Sequence, residues 1–278
     1  MSLPWGHRYL MCPPHHFGVL YEINPWMNRE VTVDTDLAQT QWANLVDALK
    51  AAGAEIEMME PQPGVPDLVF TANAGIVNGR QFVPSHFRHP ERQAETAIYQ
   101  AWFEERGFRI DRLPAALSHE GAGDGLPFGR VLVSGYRFRS DARAATVLSQ
   151  LTKAPVRPVE LVDPRFYHLD LTFCPLDERR AICAVDAWDS YGAKVIEMLV
   201  PEPLVLEQHE ALSFCANSVV IENRIVMPNC PPRVGRQLEA WGFEVTVVDV
   251  SEFLKAGGGP RCLTLALDVE LVPAGSPV

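Results

Sequence analysis

His168 and Asp170 stand two apart in Tyr167-His168-Leu169-Asp170-Leu171-Thr172-Phe173. Read as a strand, this run sends both side chains to one face, because strand side chains alternate with period two. A histidine exchanges its proton near neutral pH, and an aspartate beside it can hold a cationic ligand. A solvent-facing strand edge would show the same pattern, so the pair needs partners. A second candidate is Cys262, which follows Gly257-Gly258-Gly259-Pro260-Arg261. Three glycines let the backbone bend and approach a ligand, which suits delivery of a thiol into a pocket. That thiol reacts only as thiolate, a state favoured by a neighbouring imidazolium or a cationic substrate. Cys12, Cys174, Cys183, Cys215 and Cys230 lie in apolar or Pro-rich settings and read as inert packing.

Further polar groups could complete such a site. Glu120 and Asp124 flank glycines in His119-Glu120-Gly121-Ala122-Gly123-Asp124, and a carboxylate behind a catalytic histidine fixes its orientation and favours its protonated form. Asp67 and Asn73 in Asp67-Leu68-Val69-Phe70-Thr71-Ala72-Asn73 could accept hydrogen bonds from a planar cation with several N–H donors. Arg88, Arg92 and Arg139 offer forks for a carboxylate, although arginines at helix starts are usually surface charges. His86 and His89 have no further His or Cys at zinc spacing and read as loop residues, so no metal is expected. No GxGxxG or phosphate loop is present. Catalysis is therefore expected to need no cofactor, only side chains and water.

Five helices are predicted to position these groups. Trp42, Leu45, Val46 and Leu49 fall at i, i+3, i+4 and i+7, as do Ala94, Ala97, Ile98 and Ala101, and Ala144, Val147, Leu148 and Leu151. Weaker copies span 191–199 and 232–241, the latter with proline at its start. Each is followed by a breaker and a β-rich run: Gly53 before 54–59, Gly107 before 108–113, Pro155 before 156–161, Pro201 before 203–207 and Gly242 before 243–250. Between units lie hairpin-like stretches: 76–83 turning at Asn78-Gly79, 131–138, and 218–227 turning at Glu222-Asn223. Five strand–strand–helix–strand units mean a radial array, since one unit cannot cover its own apolar face. The expected fold is a five-bladed α/β propeller of ββαβ repeats, in one catalytic domain over 1–278, with the inner strand ends converging on a central cleft. A doubly wound sheet is the alternative.

With 278 residues, 47% hydrophobic and 21% charged, the chain can bury a full core. A net charge of −11 argues against a nucleic-acid partner and suits a cationic substrate. No apolar run approaches the roughly 20 residues of a membrane span, and residues 1–18 lack the basic-then-apolar order of a signal peptide. Six cysteines without a CxxC pair read as reduced thiols, so a cytoplasmic enzyme is expected. Whether it forms a homo-oligomer is left open.

Taken together, FTANAG, HFRHPER, EGAGD, GYRFRSD, HLDLTFCPL, CANSV and GGGPRCLTL, in this order, resemble the guanidino-modifying enzymes of the pentein superfamily. Each motif alone is weak; their order, from NPWM at Asn24 to Cys262, spans nearly the whole chain. The superfamily includes arginine deiminases, dimethylarginine dimethylaminohydrolases, amidinotransferases and arginine dihydrolases, all five-bladed α/β propellers. The resemblance implies Cys262 as nucleophile, His168 as general acid/base and Glu120 as its supporting carboxylate. Asp170 and Asn73 would hold the guanidinium, Arg92 and Arg139 the α-carboxylate, with Asn24 near the substrate. Deiminases and dimethylarginine hydrolases commonly carry Asp at the place of Asn73 and EGGD where this chain has EGAGD. That departure, with CPPHHFGVLYEINPWM near the start, looks more like the dihydrolases, which convert arginine to ornithine, ammonia and carbon dioxide. The implied substrate is arginine or a methylated arginine. Amidino transfer and a non-catalytic binding protein of the same fold are the alternatives.

Overall fold

Polarity and breakers divide the chain into short elements, and a computed structural model describes them over residues 3–275. Residues 1, 2 and 276–278 of the expected domain lie outside the described residues. The order is β1 (Arg8–Met11), α1 (Thr35–Ala52), β2 (Glu55–Met58), β3 (Gly75–Asn78), β4 (Gln81–Pro84), α2 (Gln93–Glu105) and β5 (Arg109–Ile110). Next come β6 (Gly125–Phe128), β7 (Val131–Tyr136), α3 (Ala144–Thr152), β8 (Val156–Glu160), β9 (Phe173–Pro175), β10 (Arg180–Cys183), α4 (Ser190–Leu199) and β11 (Glu202–Val205). The last are α5 (Gln208–Ala211), β12 (Val219–Ile221), β13 (Arg224–Met227), α6 (Pro232–Ala240), β14 (Glu244–Val247), α7 (Ser251–Leu254) and β15 (Leu265–Ala266).

The strands form five three-stranded sheets: β3-β4-β5, β6-β7-β8, β9-β10-β11, β12-β13-β14 and β15-β1-β2. In each, an antiparallel pair is extended by a parallel strand reached through a helix, because parallel neighbours need a crossover. This is the ββαβ repeat of the expected α/β propeller. The blade containing β1 is completed from the other end of the chain, with Tyr9 opposite Ala266. First strands such as β3, β6, β9 and β12 are almost wholly buried, whereas β2 and β14 are largely exposed. That gradient sets the first strands at the centre and the third at the rim. Helix α1 starts where the Asp34 side chain accepts the Leu37 N–H at 3.0 Å, and stops at Gly53 with φ 108°. Its buried stripe is the predicted Trp42, Leu45, Val46 and Leu49. No described helix is long and apolar enough to cross a membrane.

Four local expectations are corrected. The first hairpin turns at Gly79-Arg80, since Asn78 pairs with Gln81; Gly79 takes the positive φ that the first turn position demands. The stretch 131–138 holds one strand, β7, whose hairpin partner is β6, with Phe128 opposite Val131. In α2 the alanine stripe is not the buried face: Glu95, Tyr99, Trp102 and Phe103 are. The aromatic rings bury more apolar area than alanine methyls, and Glu95 follows because Arg92 neutralises it. Finally, 167–173 is no continuous strand. Leu169–Leu171 forms a 3-10 turn, with the Asp124 carboxylate accepting the Leu169 N–H at 3.0 Å and the Thr172 hydroxyl donating to the Leu169 carbonyl. His168 and Asp170 consequently face different partners.

Candidate active site

Each blade's first strand is preceded by a tight turn, and these turns carry the polar residues. Asn73 lies in the turn Thr71–Ala74 before β3; Glu120 precedes the turn Gly121–Gly123 before β6; His168 and Asp170 flank and occupy the turn before β9. Cys262 lies in the turn before β15, and Asn217 in the one before β12. Backbones pack closely here. A Cβ on Gly123 would collide with the Asn73 amide nitrogen and sit 3.3 Å from His168 Nδ1. The glycines before Cys262 are needed for approach, as their spacing implied: Gly257 has φ +82° and presses on Tyr167 and Asn24, while Gly259 presses on Asn217.

Asn24, Asp67, Asn73, Arg92, Arg139 and Cys262 line a narrow cleft, with Met27, Phe70 and Tyr167 among its apolar walls. The thiol of Cys262 has two polar side-chain partners. It donates to Asp170 Oδ2 at 3.3 Å and accepts from Asn217 Nδ2 at 3.1 Å. Burial, then the Asp170 charge, push that thiol well above its ordinary range, so it rests protonated. Burial is also the main cause that pushes Cys12, Cys174 and Cys215 up, to about 12 each. What sets Cys262 apart is therefore its place on the cleft.

His168 does not hydrogen-bond to Cys262 among the described contacts. Its Nε2 meets Glu120 Oε2 at 2.9 Å, and the same oxygen accepts from Arg139 Nη1 at 2.9 Å. Burial would raise the Glu120 carboxyl, but Arg139 and His168 more than reverse this and hold it below the usual carboxylate range. Burial lowers His168 to about 4 against the pull of Glu120, with Arg139 and Arg92 assisting. The pair is thus a carboxylate and a neutral imidazole. A carboxylate only accepts, so Nε2 carries the proton and Nδ1 keeps its lone pair as a base.

Among the described residues, two buried carboxylate oxygens, Asp67 Oδ1 and Asp170 Oδ1, have no hydrogen-bond partner, and the buried Tyr21 hydroxyl near Asp67 has none either. Burial pushes Asp170 up to about 7, against the opposing charge of Arg261. The Asp67 carboxyl is raised by the same cause, with Arg92 pulling it back. The arginines, by contrast, are engaged. Arg92 grips Glu95 with two bonds of 2.8 and 2.7 Å and donates to Asn73 Oδ1 at 2.8 Å. Arg139 also donates to the Ile23 carbonyl and stacks on Tyr167. Asn24 ties its own loop to the Ala256 carbonyl at 3.0 Å. The Arg88 side chain does not line the cleft and reaches the surface, while its backbone N–H donates to Glu120 Oε1 at 3.3 Å.

Sequence reasoning passed over Asn217 and Glu95, and named Asp124 without foreseeing that its carboxylate would accept the Leu169 N–H and hold the turn of Asp170. For Asn217 a signal existed: CANSV and TANAG both put Asn two residues before their strand.

No family model matches the chain. It is 40% identical over 271 residues to the bifunctional arginine dihydrolase/ornithine cyclodeaminase ArgZ of Synechocystis, covering 96% of this chain and 38% of ArgZ. The chain thus spans less than two fifths of that relative. It is 38% identical over 266 residues to the N(G),N(G)-dimethylarginine dimethylaminohydrolase of Mycobacterium tuberculosis, covering 95% of this chain and 87% of that protein. Among solved structures, the product-bound N-terminal domain of ArgZ superposes with a TM-score of 0.92 at 40% identity, covering 96% of this chain and 99% of that one. A second dimethylarginine dimethylaminohydrolase, 20% identical with a TM-score of 0.80, shares the fold. Five ββαβ blades, a cysteine and a histidine carried on central turns, a relative 38% identical over most of its length and a solved domain 40% identical over nearly all of its own agree: the chain belongs to the pentein superfamily of guanidino-modifying enzymes.

Proposed function

We propose that this chain hydrolyses the guanidino group of arginine through a covalent thiouronium on Cys262. The observation that carries the reading is the pair of unpartnered carboxylate oxygens, on Asp67 and Asp170, buried beside a cleft thiol. Buried acceptors without donors call for a cation rich in N–H groups, and arginine supplies one at each end. Before substrate arrives, thiol and imidazole are neutral. Arrival of the guanidinium favours the thiolate, and His168 Nδ1 takes up the thiol proton. Sulfur attacks the guanidinium carbon, and His168 returns the proton to the departing ammonia. The planar thiouronium is then attacked by a water that His168 deprotonates, and the carbon–sulfur bond breaks to give citrulline. Glu120 stabilises each imidazolium formed, and Arg92 and Arg139 face the substrate's carboxylate end.

We further propose that the reaction runs on to ornithine, with a second loss of nitrogen and release of carbon dioxide. A neutral ureido group is held better by an amide, which both donates and accepts, than by a carboxylate. Asn73 is the amide in question. Its Nδ2 donates to the Glu120 carbonyl at 3.2 Å and its Oδ1 accepts from Arg92, so it exchanges one of these bonds for the ureido group. Wild type given arginine is expected to release ornithine, and Asn73→Asp to stop at citrulline; citrulline alone from the wild type would end the dihydrolase reading. The Mycobacterium relative, matched over most of its length, favours a second reading, hydrolysis of methylated arginines, which dimethylamine release would reveal. A cytoplasmic location suits an enzyme whose six cysteines are all free thiols.

The acidity of Asp170 adds a pH prediction. An acid raised to about 7 is increasingly neutral below that pH and ionised above it. The neutral form gives up its hold on a cation, so kcat/KM for arginine should fall by up to about tenfold per pH unit below 7. In Asp170→Asn this acid limb should vanish along with most activity; an unchanged limb would exclude Asp170 as its source.

A further inference from the structure

We propose that Asn217 is a further catalytic residue, whose Nδ2–H stabilises the Cys262 sulfur as a thiolate while its Oδ1 holds the turn that presents it. This rests on the reading of Cys262 as nucleophile. The sulfur sits in surroundings hostile to negative charge, being buried and 3.3 Å from the Asp170 carboxylate. An attacking thiolate there needs a donor. Among the described residues, Asn217 Nδ2, at 3.1 Å, is the side-chain donor that reaches it. His168 is engaged with Glu120 instead.

The other end of the amide is equally engaged. Asn217 Oδ1 accepts the Gly259 N–H at 3.0 Å and the Cys262 N–H at 3.3 Å, and Nδ2 also donates to the Asp170 carbonyl at 3.1 Å. One side chain therefore joins the turn that bears the nucleophile to the turn that bears Asp170. Asn217 is wholly buried, and its own N–H is held at 2.8 Å by Phe214, a non-glycine residue kept at φ 60°. A bulky residue in the left-handed region is strained and persists only where its surroundings impose it. The amide is thus pre-set, with no reorganisation required when charge appears on sulfur.

A bond from N–H to a neutral thiol is weak, and the same bond to a thiolate is roughly twice as strong. Stabilisation that grows as charge develops accelerates the step instead of merely tightening binding. It acts twice in each cycle: when the thiolate forms for attack, and when it leaves as the thiouronium collapses. The blade repeat explains the position. Asn73 and Asn217 each lie two residues before a first strand, and each donates Nδ2 to the carbonyl of an acidic residue in a neighbouring turn. Of the two, Asn217 meets the sulfur.

The test combines arginine kinetics with the pH dependence of iodoacetamide labelling, read at the Cys262 peptide by mass spectrometry. Asn217→Asp keeps acceptors for the Gly259 and Cys262 N–H groups but sets an anion against the sulfur; Asn217→Ala removes the donor. Both are expected to lower kcat roughly 100-fold, as loss of one donor to a reacting centre does, with KM changed less than about threefold. Labelling at neutral pH should fall about tenfold or more and its midpoint move to higher pH, more in Asp than in Ala. A folded Asn217→Asp with unchanged labelling would overturn the proposal, and failure of both variants to fold would make Asn217 a structural residue and overturn it too. Turnover surviving in Cys262→Ser would instead remove the nucleophile itself, a distinct result.

Discussion

Cys262→Ser is expected to bind arginine nearly as tightly as the wild type and to release ammonia slower by roughly 10⁴-fold or more. A serine hydroxyl in that place would have to ionise against burial and the nearby Asp170, which together already hold the more acidic thiol in its protonated form. The cation's acceptors are untouched, since Asp67 and Asp170 keep their free oxygens. Calorimetric titration with arginine and an ammonia assay separate the two effects. Acid-quenched wild type should also show a mass adduct on the Cys262 peptide that the variant lacks. Turnover within tenfold of wild type would dismiss the covalent route.

Removal of the imidazole in His168→Ala is expected to lower kcat by roughly 10² to 10⁴-fold and to alter arginine affinity little. The histidine is not among the side chains that line the cleft, and its Nδ1 is assigned to proton transfer, while the guanidinium is held by carboxylates. Its contribution is proton transfer: from the thiol, to the first ammonia, and from water. Without it both halves of the cycle slow, so single-turnover experiments should show slow adduct formation and slow adduct decay alike. A variant that forms the adduct at the wild-type rate but fails to resolve it would confine His168 to the second half. Replacing Glu120 would remove the carboxylate partner of both Arg139 and His168, so its variants mix proton transfer with a lost buried ion pair.

Several structural features were legible in the chain. Period and breakers place α1 and the ββαβ repeat, because a helix stripe and a closing glycine are set by residues near in sequence. The glycines before Cys262 likewise advertised a close approach. Legibility failed where neighbours from other blades decide. The alanine stripe of α2 lost its inward place to Tyr99, Trp102 and Phe103, and Glu95 went inside only because Arg92 meets it there. The period-two reading of His168 and Asp170 failed because Asp124, from another blade, caps Leu169 and bends the run into a turn.

Taken alone, then, the sequence determined which residues could carry the chemistry and that a strand–strand–helix–strand unit repeats along the chain, since motifs and periodicities are local. The tertiary structure decided the pairing: Glu120 behind His168, Asp170 and Asn217 at the sulfur, and both arginines bonded to neighbouring side chains. It also left two carboxylate oxygens bare, which no spacing could announce. Burial and neighbouring charge set these states, and both come from segments far apart in the chain that meet only when the blades close on one centre.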